Sequence, residues 1–312
     1  MIVTLTPNPA LDHTYSIEQL NRGSSIRTPA AAVRAGGKGV NVSRVLHSQG
    51  VGVTTVVPVG GASGREFEAE ALASGLALTA IAVAGSTRRS IAIVEQRDGT
   101  TTLLNEEGSG YSPAEWDRIV TTTAASFNGA SCVVASGSLP PGAPSDLYPR
   151  LIGAANRAKI PSIIDVSGQP LLDAAKAGAT VLKPNQHELA DATGMSDPIE
   201  GARHLLSLGA TAVVVSLGED GMRCVQQSSA TVWSATLDTQ LVGNPTGAGD
   251  ASVAALAATL SSSAGLDLSQ IDWAAALTLA TAWSASAVLT PTAGELHPSW
   301  PQLAQRVTVR QL

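Results

Sequence analysis

The chain is poor in charge and in aromatic rings: of 312 residues, 14% are Asp, Glu, Lys or Arg and 3% are aromatic. The net charge is −6 and the isoelectric point is near 5.4. A nucleic-acid partner demands a basic face, so none is expected. A local basic pocket for a phosphorylated small molecule stays compatible with an acidic average. Cysteine is scarce too. Cys132 and Cys224 stand far apart in apolar, strand-like runs, which reads as two buried free thiols rather than a disulfide or a metal cluster. The five histidines are scattered, with no Ser/His/Asp or Cys/His arrangement to support triad hydrolysis. The P-loop spacing GxxxxGKS/T is absent. No apolar run is long enough to span a membrane, and Met1 to Thr6 reads as a strand, not as a charged leader with an apolar core. A soluble cytoplasmic protein without a membrane partner is the expectation.

What is present is hydrophobic and small: 44% of the residues are hydrophobic and 30 are glycine, enough for a sizeable core of closely packed helices and strands. Strand-like and helix-like segments alternate. IVTLT (2–6), VTTVVPV (53–59), SCVVAS (131–136), SIIDV (162–166), TVLK (180–183) and AVVVS (212–216) read as short buried strands. Lys38 to Gly50 and Arg65 to Ala73 read as helices, and Ser112-Pro113-Ala114-Glu115 as a capping box with Pro at the first helical position. The pattern predicts an α/β fold with a mostly parallel central sheet covered on both faces. Two segments break the alternation. Residues 12–34 are polar without a clear helix, and 89–104 read as a hairpin turning at Asp98-Gly99. Both suit a small β lid (12–34 and 88–105) over a main body made of 1–11, 35–87 and 106–312.

Several polar clusters follow strands or open helices, where such sheets bind ligands. Asn244-Pro245-Thr246-Gly247-Ala248-Gly249-Asp250 opens an Ala-rich helix. Free first-turn amides and the helix dipole suit anionic oxygens, and the carboxylate of Asp250 suits proton abstraction from an alcohol. That is the chemistry of phosphoryl transfer to a hydroxyl. The same run also reads as a close-packed turn whose Asp only complements the dipole. Gly36-Gly37-Lys38-Gly39-Val40-Asn41 offers close backbone approach, a point charge and an amide to a phosphorylated sugar, or is a Gly-rich helix start with a solvated Lys. Asp12 suits sugar hydroxyls or an ordinary loop. Arg88 and Arg89 suit a phosphate clamp or a surface turn. Ser136-Gly137-Ser138 suits substrate contact or a rigid turn. Asn185 and Glu188 are three apart at a helix start. They suit a hydrated Mg²⁺, an Asn-led capping box, or both. Ser216-Leu217-Gly218 suits backbone approach to a nucleotide or a plain hairpin.

Taken together and in order, TPNPALD (6–12), GGKGVN (36–41), SGSLPPG (136–142), KPNQHE (183–188), SLGEDG (216–221) and NPTGAGD (244–250) resemble the PfkB (ribokinase-like) carbohydrate kinase family over nearly the whole chain. Within it the chain looks most like the sugar-phosphate kinases of the 1-phosphofructokinase and tagatose-6-phosphate kinase branch. The resemblance implies a ribokinase-like three-layer fold with a β-sheet lid, ATP and Mg²⁺ as co-substrate and metal, and a homodimer through the lid. It implies Asp250 as catalytic base and Gly247, Ala248 and Gly249 as anion hole. It implies Asp12, Arg27, Gly37, Lys38, Asn41, Arg88 and Ser138 as sugar-phosphate contacts. Asn185, Ser216 and Gly218 become nucleotide contacts, and Glu188 a metal-associated glutamate acting through water. The expected reaction is phosphorylation of fructose 1-phosphate to fructose 1,6-bisphosphate. Tagatose 6-phosphate and fructose 6-phosphate are the alternative acceptors, and a non-catalytic sugar-phosphate-binding regulator is the alternative of another class. The departures from the family pattern, among them Val33-Arg34-Ala35 before GGKG, Arg89-Ser90 and Pro245, lie mostly at the sugar end.

Overall fold

Runs of β-branched residues alternate with Ala- and Leu-rich stretches, and the fold follows that alternation. The computed structural model describes residues 1–227, 229, 231–263 and 270–312. Its elements run β1 (Ile2–Leu5), β2 (Ala10–Ile17), β3 (Ala32–Gly36), α1 (Lys38–Ser48), β4 (Val53–Val59), α2 (Gly61–Ala73), β5 (Leu78–Ala82), β6 (Arg88–Glu95), β7 (Thr101–Asn105), α3 (Pro113–Ala125), β8 (Cys132–Ser136) and α4 (Leu147–Ala158). They continue as β9 (Ser162–Asp165), α5 (Gln169–Lys176), β10 (Val181–Leu182), α6 (Gln186–Thr193), α7 (Pro198–Leu208), β11 (Ala212–Ser216), β12 (Met222–Gln226), β13 (Val232–Leu237), α8 (Ala248–Ser262), α9 (Trp273–Val288), α10 (Trp300–Ala304) and β14 (Val307–Gln311).

Ten strands form the main sheet in the order β14-β13-β12-β11-β10-β9-β8-β1-β4-β5. The strands from β11 to β5 pair in parallel, as their helical crossovers require. β12, β13 and β14 add to one edge antiparallel. The link from Ser216 to Met222 is too short for a crossover, so the chain must reverse there. The parallel strands are apolar throughout because both faces are buried. In β8, Val133 and Ala135 pack with α3, α4, α5 and α7, while Cys132 and Val134 pack with α1, α8 and α9. Both cysteines are buried and unbridged. The fold is the ribokinase-like α/β sandwich. Among the described residues no helix is long and apolar enough to cross a membrane.

A second, four-stranded sheet has the order β3-β2-β6-β7, with β2 and β6 parallel and the outer strands antiparallel. It begins at Ala10 and includes Gly36. Leu11 and Ala35 are fully buried with Phe67 and Ala71 of α2, which anchors this sheet to the body. α2 starts at Gly61, earlier than its apolar periodicity suggests. Gly61 takes φ +69, and a side chain there would overlap Ser86.

Candidate active site

The loops after β1, β8, β9, β10 and β11 converge on the carboxyl edge of the sheet, and the N-termini of α1 and α8 open there. Gly247 caps α8 with φ +87, and a side chain on it would run into Ala293. Glycine is therefore required by both conformation and space. Among the described residues the amides of Gly247, Gly249 and Asp250 have no partner, whereas that of Ala248 donates to the Pro245 carbonyl at 3.2 Å. The free amides, with the dipole of α8, form a positively polarised mouth.

Asp250 stands in the first turn of α8 and is only 6% exposed. Burial, with the negative charge of Asp165, pushes its carboxyl up to about 6, against the opposing hydrogen bond from Asn41 and the charges of Lys38 and Lys183. The Asn41 Nδ2 donates to Asp250 Oδ2 at 2.8 Å. A base in the neutral range, aimed by one amide, suits proton transfer from an alcohol.

Asp165, at the end of β9, anchors the charges below. Ser136 Oγ donates to its Oδ2 at 2.7 Å, and Lys38 Nζ lies 3.4 Å from the same oxygen. Burial opposes the Asp165 charge, but Lys183, Lys38 and Ser136 outweigh it and hold the carboxyl below the usual range. Lys38 also lies 3.6 Å from Glu188 Oε1. Burial disfavours its ammonium, yet Asp165, Glu188 and Asp250 together keep it firmly charged. Lys183 is buried, and a side chain on Gly249 would come within 3.8 Å of its Nζ, which places the ammonium under the first turn of α8. Asp165 and Lys183 escaped the sequence reading. A lone carboxylate closing an apolar strand was the available signal for the first. The second stood inside a recognised motif without a role.

Asn185 and Glu188 form the capping box. Asn185 Oδ1 accepts from the amides of His187 and Glu188, each at 2.9 Å, and Glu188 Oε2 accepts from the Asn185 amide at 2.9 Å. The other Glu188 oxygen remains turned toward Lys38. Asn185 bridges in parallel to Ser216, and Gly218, with φ +64, opens a single 3₁₀ turn with free space where a side chain would stand.

The small sheet brings Asp12 to the other end. Asp12 lies across from Arg34 on one side and Ser90 on the other. Burial pushes its carboxyl up to about 6, and the charges of Arg88, Arg34 and Arg44 restrain the rise. The Asp12 carboxylate occupies the space a side chain on Gly36 would need, and Gly37, with φ +110, lets α1 start hard against Thr6. Arg88 donates through Nε to the Asn8 carbonyl at 3.2 Å and through Nη1 to the Glu106 carbonyl at 3.3 Å. Asn8 Nδ2 in turn donates to Ser138 Oγ at 3.4 Å. Arg27 is different. It is exposed in the loop between β2 and β3, and its neighbour Thr28 bonds to Ser16. Ser16 lies four residues along β2 from Asp12, on the order of 13 Å. Within this single chain Arg27 stands on the exposed loop of the small sheet, away from the strand ends that carry Asp12 and Arg88.

A parallel α/β sheet with a buried carboxylate, a polarised helix mouth and paired lysines at its carboxyl edge, faced by a second small sheet, defines a phosphotransferase with an alcohol acceptor. The model of the pfkB family of carbohydrate kinases matches residues 6–300, and the chain belongs to that family. It is an ATP-dependent sugar kinase. It is 33% identical to the 1-phosphofructokinase of Rhodobacter capsulatus, over 100% of this chain and 98% of that one. It is 34% identical to the ATP-dependent 6-phosphofructokinase isozyme 2 of Mycobacterium tuberculosis, over 83% and 78%. The tetrameric inhibited form of phosphofructokinase-2 from Escherichia coli shares the fold with a TM-score of 0.86 and 26% identity, over 97% of this chain and 98% of that one.

Proposed function

We propose that the protein transfers the γ-phosphoryl group of ATP to a hydroxyl of a ketohexose phosphate. Fructose 1-phosphate is the preferred acceptor and fructose 1,6-bisphosphate the product. The observation that carries this reading is the two-ended site. At one end Asp250 is held by Asn41 beside free helix amides. At the other, Asp12 of β2 faces the strand that Arg88 opens, and the Arg88 charge restrains its carboxyl. An acceptor with a phosphate at one end and a free hydroxyl at the other meets both.

In the reaction the far hydroxyl attacks the γ-phosphorus, its proton passes to Asp250, and the bond from the γ-phosphorus to the β–γ bridging oxygen breaks to leave ADP. The amides of Gly247 and Gly249 and the ammonium groups of Lys38 and Lys183 offset charge on the moving phosphoryl group. Arg88 and Ser138 hold the phosphate already present on the acceptor, and Asp12 accepts from its hydroxyls. Asn185, Ser216 and Gly218 line the nucleotide end.

Among the described residues no group of three or more His, Cys, Asp or Glu side chains could cage a metal. A single carboxylate oxygen of Glu188 facing the site fits Mg²⁺ that arrives with ATP and keeps its waters. Glu188 would hold it through water, and when bound it neutralises phosphate charge. Leu103 and Leu104, both more than half exposed on β7, support a homodimer through the lid.

Fructose 6-phosphate is the second reading, favoured by the relative named a 6-phosphofructokinase. The test is ADP release with ATP and Mg²⁺ against fructose 1-phosphate, tagatose 6-phosphate, fructose 6-phosphate, fructose and ribose. The highest kcat/KM is expected for fructose 1-phosphate. Turnover of unphosphorylated sugars alone would overturn the role given to Arg88. Ligand-induced stabilisation without any ADP would favour a binding regulator.

A further inference from the structure

Glu295 takes no part in the chemistry above and Arg34 enters it only as a charge near Asp12, yet their pairing joins its two ends. Arg34 Nη1 stands 2.8 Å from Glu295 Oε1, and Arg34 on β3 pairs directly with Asp12 on β2. Glu295 belongs to the turn that follows α9. That turn is packed against the catalytic end. Ala293 fills the space beside the Gly247 cap, and Gly294 lies against Arg44 and Asn41 on α1. The run leading into α8 is tied to the same turn. The Asn244 amide donates to the Val288 carbonyl at 2.9 Å, and its Nδ2 to the Pro291 carbonyl at 3.1 Å. Next to Arg34, Ala35 is clamped on both sides, its amide donating to Glu70 Oε2 at 2.7 Å and its carbonyl accepting from Arg44 Nη2 at 3.0 Å. Successive residues of β3 are thus fastened to α1, α2 and the turn after α9.

We propose that the Arg34–Glu295 ion pair is a latch that positions the acceptor site. It holds the edge strand of the small sheet to the turn that backs the Gly247 cap, and so sets the distance between Asp12 and Asp250. Arg34 acts through Asp12 and is a positioning residue, not a catalytic one. The inference rests on the reading that the cleft between Asp12 and Asp250 takes the acceptor.

The test is a charge swap in the full-length chain: Arg34→Glu, Glu295→Arg and the two together. kcat, acceptor KM and ATP KM are measured with whichever ketohexose phosphate the unmodified protein uses best. Each single reversal is expected to raise acceptor KM about three- to fivefold, the range of a partly exposed pair. It should leave kcat and ATP KM within about twofold, and the double swap should bring acceptor KM back. Unchanged KM in the single variants, or no recovery in the double, overturns the latch. So do losses of kcat that follow thermal stability. Glu295→Gln separates the remaining possibility. A latch raises acceptor KM on losing Glu295, whereas an Arg34 that binds the acceptor phosphate directly would be freed and KM would fall. If the unmodified protein turns over none of the sugar phosphates, that failure belongs to the proposed function. The swap is then read from calorimetric Kd values for the tightest-binding one, with the same pattern expected.

Discussion

Asp250→Asn is expected to abolish turnover and stabilise the fold in one step. The carboxyl is 6% exposed and burial pushes it from 3.8 up to about 6. Between those values the folded chain binds a proton that the unfolded chain has released. Stability therefore falls as pH rises from about 4 to about 6 and is level above that. A gap of about two pH units, at about 1.4 kcal/mol each, comes to ~3 kcal/mol carried against the fold by the ionised carboxylate at pH 8. Asparagine keeps the shape, can accept the Asn41 hydrogen bond and removes the charge, while Lys38 keeps Asp165 and Glu188. Urea titration at pH 8 should find Asp250→Asn more stable by ~3 kcal/mol, and the advantage should shrink below ~1 kcal/mol at pH 4. ADP release should fall at least about a hundredfold. In the unmodified protein kcat/KM, which reports the free enzyme, should drop at least about tenfold per pH unit below about 6. The fall should be steeper than one group gives, because Asp12 titrates in the same range. Equal stability at pH 8 would refute the burial argument. A wild-type rate in the variant would refute Asp250 as the base.

Three further outcomes follow from single contacts. Asn41→Leu removes the hydrogen bond that restrains the Asp250 shift, so the acid limb of the kcat/KM–pH profile should move to higher pH, read by ADP release across pH 5–9. Gly36→Ala puts a methyl group where the Asp12 carboxylate sits. Acceptor KM should rise on the order of tenfold with ATP KM unchanged, since one buried polar contact is worth about that factor. Asp165→Asn strips Lys38 and buried Lys183 of their shared counter-charge, and urea titration should show a loss of about 3 kcal/mol.

Much of the site was legible because its parts are short-range. The caps at Ser112–Glu115 and Asn185–Glu188 close over three residues, and both form as their spacing predicts. The buried strands announced themselves as apolar runs, and the Asp98-Gly99 turn separates β6 from β7 as expected. Gly37 and Gly247 were legible as helix openings, and both take positive φ there. Less legible was the antiparallel edge of β12, β13 and β14, because alternation of elements does not state strand direction.

Taken alone, the sequence determined the buried parallel strands, the two capping boxes and the motif that ends in Asp250, because each depends on residues near one another in the chain. Only the tertiary structure decided how charges distant in sequence meet. Asn41 reaches Asp250 and Arg34 reaches Glu295 across more than 200 residues. Buried Asp165 draws half-exposed Lys38 and buried Lys183 to one point. The strength of a charge depends on its burial and on its neighbours within a few ångströms, and those are properties of the folded path.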